Sequence, residues 1–497
     1  MSSDPIIGLM VRSRRLEIAE VEADRLRKRL GRNLVGIGVF GSVGRGDDRT
    51  GSDIDLVVVA QSQVKIKSRV VSGIPVTFLP LTPEGAREEV YGSRKDLNVA
   101  LGGWRSLKPL YDPTKFLARL RQRAFHPRPL QFRRASQKAL VETFEDLGKL
   151  RNAIEAKDRD EMREMAIWFT DGAMGALFDL ERFVLATGRR AFVEAHRFGR
   201  IGEAMRRLRY DDRSPAEASS LAEAIWSDLI ARANRQGIRL PELLLKRPRD
   251  VRPPGSRLAV AERFVRGVQR REGSNLIAAG LYGSVAAGED RKHSDIDLFL
   301  MFRVRREYPR IIVFGGSLVS ISPRDPTEVR GEIEHAWNRP ESLSGWRSMR
   351  ILHDPSGLLR RSVAWSRRPS EGAFNRAVVK NLLEGYEYLG KLGKAARAND
   401  PEETREMAIW FSASAMFAAL CLERHVVETG PRLFAELRDV GPLGRAICRL
   451  RYESQGVADT AELATRIWSS LLARARQEGL PLPRGLTRAP GTSLDGS

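Results

Sequence analysis

The feature that most constrains this chain is a glycine-rich string that occurs twice, 242 residues apart. The first copy reads GSVGRG over 41–46 and is followed by SDIDL over 52–56. The second copy reads GSVAAG over 283–288 and is followed by SDIDL over 294–298. Each copy lies between two apolar runs, 34–40 and 56–60 in the first copy and 276–282 and 298–302 in the second. This pattern predicts two strands joined by a glycine turn. The sequence therefore predicts the same local structure in both halves.

The aspartates in each string predict a metal site. Asp53 and Asp55 are two residues apart, as are their counterparts in the second copy, so on a strand they point to the same face. Two carboxylates this close repel each other unless a cation lies between them. Mg²⁺ suits such a pair, because waters and phosphates complete its shell. The alternative is a pair that caps a turn at the end of a strand.

The full strings resemble the DNA polymerase β-like nucleotidyltransferase superfamily. The resemblance implies that the glycine-serine turn binds a nucleoside triphosphate and that the aspartates hold the catalytic Mg²⁺. The metal ligands implied are Asp53, Asp55, Asp295 and Asp297. The nucleotide-binding residues implied in these strings are Gly41, Ser42, Arg45, Ser52, Gly283, Ser284 and Ser294.

Repetition extends well beyond these strings. REMAIWF at 163–169 recurs at 405–411, and RLRY at 207–210 recurs at 449–452. We predict an α/β nucleotidyltransferase domain followed by an all-α helical domain, with the pair duplicated in tandem as an internal pseudo-dimer. The predicted boundaries are 1–126 and 127–246 for the first pair, 247–255 for a linker, 256–368 and 369–487 for the second pair, and 488–497 for a tail.

Local patterns predict the elements of the first half. Residues 11–30 have the apolar spacing of an amphipathic helix. The run 69–79 predicts one further strand, and 83–92 predicts a helix. Between 130 and 245 nearly every segment has a helical period, which predicts about five helices.

The first helix of each helical domain carries candidate acid and base groups. Glu142, Glu145 and Lys149 fall on one helix face, and Glu387 and Lys391 repeat the last two positions. Spacing alone favours a surface ion pair at i and i+4. However, the string F-E-x-x-G-K resembles the kanamycin nucleotidyltransferase family, whose enzymes are dimers with active sites at the subunit interface. This resemblance implies that the glutamates are general bases and that the lysines reach the nucleotide.

Two departures from the family pattern affect catalysis. Thr77 and Ser320 stand where the superfamily often has a further acid. Arg45 becomes Ala287 in the second copy. If Arg45 contacts phosphate, as the equivalent arginine does in related enzymes, the first site is expected to be the better catalyst.

Composition narrows the choice of partners. The net charge of +21 favours polyanions or nucleotides, although an arginine-rich surface of a high-GC or thermophilic source is an equal alternative. Residues 94–138 are densely basic, with aromatic residues interleaved. Since no apolar run approaches the length of a membrane span and residues 1–15 have no signal-peptide core, we expect a cytoplasmic protein that does not bind membranes. Because the pseudo-dimer lies within one chain, we expect a monomer.

We therefore expect an Mg²⁺-dependent nucleotidyltransferase that moves NMP, expected to be AMP from ATP, to a hydroxyl of a small-molecule or RNA acceptor. In this hypothesis Asp53 and Asp55 hold the metal, Ser42 and Arg45 hold phosphate, and Glu145 deprotonates the acceptor. The sequence does not show which half contributes which residues to each site. The alternative is a non-catalytic regulatory protein that binds nucleotide or RNA.

Overall fold

The structure is a computed structural model that describes residues 13–49, 51–245, 255–304, 308–336, 340–367, 371–427, 430–453 and 455–487. The side chains of 335–336, 340–342, 431 and 484 lie outside the description. So do nearly all of the predicted linker at 247–255 and the whole of the predicted tail at 488–497.

The strands form two five-stranded sheets of the same design. In the first sheet the order is β3-β4-β2-β1-β5, with β2 and β4 parallel and the other neighbours antiparallel. The second sheet repeats that arrangement as β8-β9-β7-β6-β10. The strands are β1 Leu34–Phe40, β2 Ile54–Ala60, β3 Arg69–Val71, β4 Ile74–Leu81, β5 Lys108–Tyr111, β6 Leu276–Tyr282, β7 Ile296–Phe302, β8 Ile311–Phe314, β9 Ser317–Arg324 and β10 Arg350–His353.

Helices cover each sheet and then form a helical region after it. Those of the first half are α1 Arg14–Leu30, α2 Gly41–Arg45, α3 Pro83–Tyr91, α4 Leu97–Ser106, α5 Phe116–Ala124, α6 Pro129–Ala156, α7 Arg159–Leu180, α8 Ala191–Glu194, α9 Arg200–Tyr210, α10 Pro215–Arg235 and α11 Glu242–Leu245. Those of the second half are α12 Arg257–Glu272, α13 Gly283–Ala287, α14 Pro326–Ala336, α15 Pro340–Arg347, α16 Leu358–Ser366, α17 Glu371–Arg397, α18 Pro401–Leu422, α19 Leu433–Asp439, α20 Pro442–Tyr452 and α21 Val457–Gln477.

One local prediction was wrong. The run 69–79 is a hairpin of β3 and β4 rather than one strand, because Ser72 and Gly73 have φ values of 50° and 77° and reverse the chain. Pro80 does not end the strand either, since β4 continues through it. The predicted glycine turn is a single helical turn, α2.

The helical regions supply the longest elements and much of the core. α6 begins with Pro129, where a missing N–H costs nothing, and α18 is capped by Asp400, whose side chain accepts from the N–H of Glu403 at 2.9 Å. α18 is long and apolar enough to cross a membrane, but 78% of its most apolar window is buried inside the protein. It packs between α17 and α21, as a core helix does.

The two helical regions are joined by buried ion pairs. Glu164 of α7 accepts from Arg451 of α20 at 2.7 and 2.8 Å. In the reciprocal pair, Glu406 of α18 accepts from Arg209 of α9, twice at 2.9 Å. All four side chains are nearly inaccessible to solvent. The halves therefore face each other through repeated residues.

Candidate active site

A left-handed glycine opens each short helix after the first strand of its sheet. Gly41 and Gly283 both have a φ of 72°, which side chains rarely adopt. Each also lies against the second aspartate of its string. A Cβ at Gly41 would come 3.2 Å from Asp55 Oδ2, and a Cβ at Gly283 would clash with Asp297. The glycines thus leave space where backbone N–H groups and carboxylates meet.

Strand register places a hydroxyl beside the second aspartate of each pair. Asp55 pairs with Thr77 across the parallel strands β2 and β4. Asp297 pairs with Ser320 across β7 and β9 in the same way. The residues in the place of the expected third acid are therefore next to the aspartates, but they offer oxygen atoms without a formal charge.

The glutamate and lysine of each long helix reach the aspartates of the opposite half. Lys391 Nζ of α17 lies 3.1 Å from Asp53 Oδ2 and 2.5 Å from Glu387 Oε1. We call this group, with Asp55, the first site. The second site consists of Asp295 and Asp297 together with the α6 residues Glu145 and Lys149, whose Oε1 and Nζ atoms are 2.5 Å apart.

The sequence left open which half supplies which residues to each site, and the leading hypothesis named Glu145 together with Asp53 and Asp55. Glu145 was expected to act with Asp53 and Asp55, but the structure places it against Asp295 instead. Glu387 of the second half is the glutamate that faces Asp53. Each site is therefore built from both halves of the chain.

Two further glycines allow the crossing. A Cβ at Gly148 of α6 would lie 2.8 Å from the backbone oxygen of His293, in the loop before Asp295. At the reciprocal place, a Cβ at Gly51 would lie 2.8 Å from the backbone oxygen of Gly390 on α17. The glycine in the F-E-x-x-G-K string thus lets helix and loop touch. Asn152 Oδ1, one turn further along α6, accepts from the N–H of His293 at 2.9 Å.

Electrostatics differ between the two first aspartates. Burial favours the neutral form of Asp53, but the Lys391 ammonium together with hydrogen bonds from Glu387 and Lys391 outweighs it and lowers the pKa of that carboxyl. Burial, with Glu145 beside it, raises the pKa of Asp295 to about 7. Asp295 Oδ2 is buried and has no hydrogen-bond partner among the described residues.

The second aspartates are strongly perturbed in both sites. Burial and the neighbouring carboxylates raise the pKa of Asp55 and of Asp297 well above the ordinary value. Burial and Asp53 also raise the pKa of Glu387, to about 7. Such crowding of acids in a protein interior is costly unless positive charge is added, and it is typical of functional sites.

Two cavities flank the second site. One of about 720 Å³ is lined by Gly283, Ser284, Asp295, Asp297 and Lys149. The other, of about 730 Å³, is lined by Glu145 and by the β9 residue Ser320. Both volumes lie in the range of small-molecule sites, and the catalytic candidates line the two cavities.

The aspartate pairs fit Mg²⁺ better than a metal that needs many protein ligands. Among the residues that the structure describes, no group of three or more His, Cys, Asp or Glu side chains could hold a metal ion. Mg²⁺ needs only one or two carboxylates when phosphates and waters complete its octahedron. Asp295 Oδ2, which has no hydrogen-bond partner among the described residues, is a carboxylate oxygen of the type that binds Mg²⁺.

The remaining predicted residues have mainly structural contacts. Ser52 Oγ accepts from the N–H of Arg49 at 3.1 Å, and Ser294 Oγ accepts from the N–H of Arg291 at 2.8 Å. Both therefore close the loop before the aspartates. The Arg45 guanidinium donates to the Ala186 carbonyl at 3.1 Å and to Asp47 at 3.2 Å. Ser284 lines the cavity of about 720 Å³ beside Asp295, and Ser42 has the equivalent position in α2 of the first half.

Sequence reasoning missed residues of the opposite half that complete the cavity beside Asp295. Glu161 and Trp168 of α7 line it together with Arg291. Arg291 Nη1 lies 2.8 Å from Glu161 Oε2 and joins the two halves. Repetition of Glu161 and Trp168 in the second half was the available signal.

Comparison with known proteins identifies the same region. Residues 23–103 match the family model described as a nucleotidyltransferase domain. A solved nucleotidyltransferase-like protein from Exiguobacterium sibiricum matches with 10% identity and a TM-score of 0.32, over 44% of this chain and 75% of that one. No curated protein matches the chain. Residues 23–103 include Gly41, Ser42, Asp53 and Asp55, so a nucleotidyltransferase domain is present in the first half.

Proposed function

We propose that this protein is an Mg²⁺-dependent nucleotidyltransferase that moves NMP from a nucleoside triphosphate, ATP above all, to a hydroxyl of an acceptor and releases pyrophosphate. The observation that carries the proposal is the meeting of an aspartate pair from one half with a Glu-Lys pair from the other. The acceptor is either a small molecule or the 3′ end of an RNA.

Proton transfer is the task of the helix glutamate. In the second site Glu145 accepts the proton of the acceptor hydroxyl while that oxygen attacks the α-phosphorus, and the bond to pyrophosphate breaks. Glu387 has the same role in the first site. A glutamate whose pKa is raised toward 7, as that of Glu387 is, is well matched to this task near neutral pH.

Binding of the triphosphate falls to the glycine turns and the helix lysines. Ser42 and Ser284, with the N–H groups of their turns, would hold phosphate oxygens, and Lys149 and Lys391 would neutralise phosphate charge. The aspartates would hold Mg²⁺, which supplies charge neutralisation on the phosphates when bound. Glu145 lines the cavity of about 730 Å³, which would admit the acceptor from the side of β9.

We further infer that the two halves are a tandem duplication of a unit like kanamycin nucleotidyltransferase, fused into one chain. Recurrence of the site motifs at one offset and the common strand order support this inference. Because each site takes residues from both halves, a monomer would contain two complete sites.

A second candidate is a regulatory protein that binds nucleotide without transferring it. Thr77 and Ser320 favour this candidate, because each places a hydroxyl beside an aspartate where a third acid is expected. Transfer and binding lead to different results when the aspartates are neutralised.

The test measures pyrophosphate released from each of the four NTPs with Mg²⁺ and a cell extract as the acceptor pool. The control is the variant with Asn at Asp53, Asp55, Asp295 and Asp297, which should lose release. Release that persists in this variant would contradict transfer at these sites. Nucleotide binding without release by the unaltered protein would favour the regulatory candidate.

A further inference from the structure

The surface of α5 and of the first half of α6 carries an unusual excess of positive charge. Between Asp112 and Glu142 the chain has no acidic residue, and its cations there are Lys115, Arg119, Arg121, Arg123, Arg128, Arg133, Arg134 and Lys138. All are exposed except Arg123, which is half-buried. α5 itself packs on α3, α4 and β1. This face is therefore outside the helical contact between the halves.

The arginines of this surface are held by backbone carbonyls instead of carboxylates. Arg105 Nε donates to the Ala124 carbonyl at 3.0 Å, and Arg121 Nε donates to the Arg105 carbonyl at 3.2 Å. Arg119 Nη1 donates to the Thr114 carbonyl at 2.8 Å. Such bonds fix the guanidinium groups, and no carboxylate among the described residues forms an ion pair with Arg105, Arg119 or Arg121 to compensate their charge. Each arginine keeps further N–H donors for an anion.

An aromatic ring lies among these guanidinium groups. Phe125 is 48% exposed, and its ring centroid is 5.4 Å from Arg105 Cζ and 5.8 Å from Arg121 Cζ. A single exposed ring is not unusual by itself, but this ring lies against two guanidinium groups that backbone carbonyls hold in place. Arg105, Arg121 and Phe125 form one cluster, and Arg119 is exposed two residues before Arg121 on a neighbouring side of α5. These four residues are called the Phe125 surface below.

The second half is also basic at the corresponding positions, but it lacks the ring. Arg367 stands where Phe125 is, and the buried Val363 stands where Arg121 is. Glu371 interrupts the cationic run there, and it lies 2.9 Å from Arg424. The combination of fixed cations with an exposed ring therefore belongs to the first half.

We propose that the Phe125 surface binds single-stranded nucleic acid. Uncompensated arginines would bind successive phosphates, while an unpaired base would stack on Phe125 or on a guanidinium plane. A double helix keeps its bases stacked on one another, so the ring favours a single strand. The binding is separate from nucleotidyl transfer and does not depend on it.

Fluorescence anisotropy of a labelled twelve-nucleotide oligo(U) with the full-length protein, without NTP or Mg²⁺, tests the proposal. We expect saturable binding that weakens steeply with KCl. Phe125→Ala should weaken binding about five- to hundredfold, as loss of one stacked base does, and leave the salt slope unchanged. Arg119→Ala/Arg121→Ala should reduce the slope of log K against log salt by about 1.4, because two phosphate contacts are lost.

Matched variants of the second half separate this surface from general charge. Arg360→Ala/Arg361→Ala removes the same formal charge there and should leave affinity within about twofold. Equal weakening by both double variants would overturn the proposal, as would a Phe125→Ala variant that binds normally. Preference for duplex RNA, or for vesicles of phosphatidylserine and phosphatidylcholine, would also overturn it in favour of shape recognition or a membrane partner. Far-UV circular dichroism of each variant confirms that the fold is kept.

Discussion

The two sites contain the same residue types at the same offset, yet the structure makes them different. In the first site Asp53 Oδ2 accepts from Lys391 at 3.1 Å. In the second site the equivalent atom, Asp295 Oδ2, is buried without a hydrogen-bond partner among the described residues. In each site burial and the neighbouring carboxylate raise the pKa of one member of the Asp–Glu pair to about 7, Glu387 in the first site and Asp295 in the second. A repeated motif therefore does not guarantee a repeated electrostatic environment.

A single substitution in the glycine string accounts for part of the difference in the turns. A Cβ at Gly44 would lie 2.7 Å from the Val39 carbonyl and would clash with the Ser106 carbonyl. Glycine here lets Ser106 approach, and its Oγ accepts from the N–H of Gly41 at 2.9 Å. The second half has Ala286 at this position, and Ser348 Oγ donates to the Ser344 carbonyl at 2.9 Å instead.

The largest expected effect is on turnover, because each site combines aspartates of one half with the Glu-Lys pair of the other half. Asp53→Asn and Glu387→Gln alter one site, so each should reduce turnover of that site by about 10²- to 10⁴-fold, and their combination should leave the other site intact. Asp53→Asn with Glu145→Gln alters both sites and should abolish turnover. Initial rates of pyrophosphate release measure this. If Asp53→Asn with Glu145→Gln released pyrophosphate no more slowly than Asp53→Asn alone, the two residues would act in one site and the crossed arrangement would be wrong.

The buried ion pairs predict a difference in stability between equivalent substitutions. Glu164→Gln leaves Arg451 buried without a carboxylate and should reduce the free energy of unfolding by about 3–5 kcal/mol. Glu406→Gln should cost less, since Arg209 Nη1 keeps Asp171 Oδ1 at 3.0 Å. Chemical unfolding monitored by tryptophan fluorescence measures both. Glu462→Gln, in an exposed pair with Arg466 at 3.5 Å, is the control and should change stability by less than about 1 kcal/mol. Equal losses at Glu164 and Glu406 would show that Asp171 does not compensate.

Asp179 and its counterpart Cys421 predict a pH effect confined to the first half. Asp179 is fully buried, and its Oδ1 accepts from the N–H of Asn98 at 3.2 Å and from Nδ2 at 2.9 Å. Burial outweighs these bonds and raises its pKa to about 8, with a minor contribution from Asp96. An unfolded aspartate titrates near 3.9, so the stabilising contribution is complete below about pH 4 and is lost as the pH rises through about 8.

Asp179→Asn should therefore flatten the decline in unfolding free energy over this range, which we expect to reach about 1.4 kcal/mol per pH unit from this group. Unfolding at a series of pH values measures the slope. Cys421→Ser, the matched change in the second half, should leave it unaltered. If Asp179→Asn retained the full slope of unfolding free energy against pH, groups other than Asp179 would cause the decline.

The local sequence pattern predicted the strands beside each glycine turn. It did not predict that the long helix of one half would reach the aspartates of the other half. β1 and β6 coincide with the predicted apolar runs at 34–40 and 276–282, because a glycine turn ends each run abruptly. Asp53 and Lys391 are 338 residues apart, and no periodicity in either segment indicates the other. The useful signal was of another kind. Glu164 is the acidic residue of the repeated string REMAIWF, and its partner Arg451 lies in the other repeated string, RLRY.

The smallest expected effect concerns the hydrogen bond that closes the first glycine turn. Ser106→Ala removes the acceptor of the Gly41 N–H and leaves that donor available to a phosphate oxygen. A neutral hydrogen bond contributes about 0.5–1.5 kcal/mol, so nucleotide affinity of the first site should rise by up to about tenfold. Ser348→Ala should have no such effect, because Ser348 Oγ bonds to Ser344. Titration with a fluorescent ATP analogue measures Ser106→Ala in a background of Asp295→Asn/Asp297→Asn, which isolates the first site, and measures Ser348→Ala in a background of Asp53→Asn/Asp55→Asn, which isolates the second. Weaker binding in Ser106→Ala would mean that the hydrogen bond holds the turn in its binding conformation, and the difference between the two turns would then favour the first site.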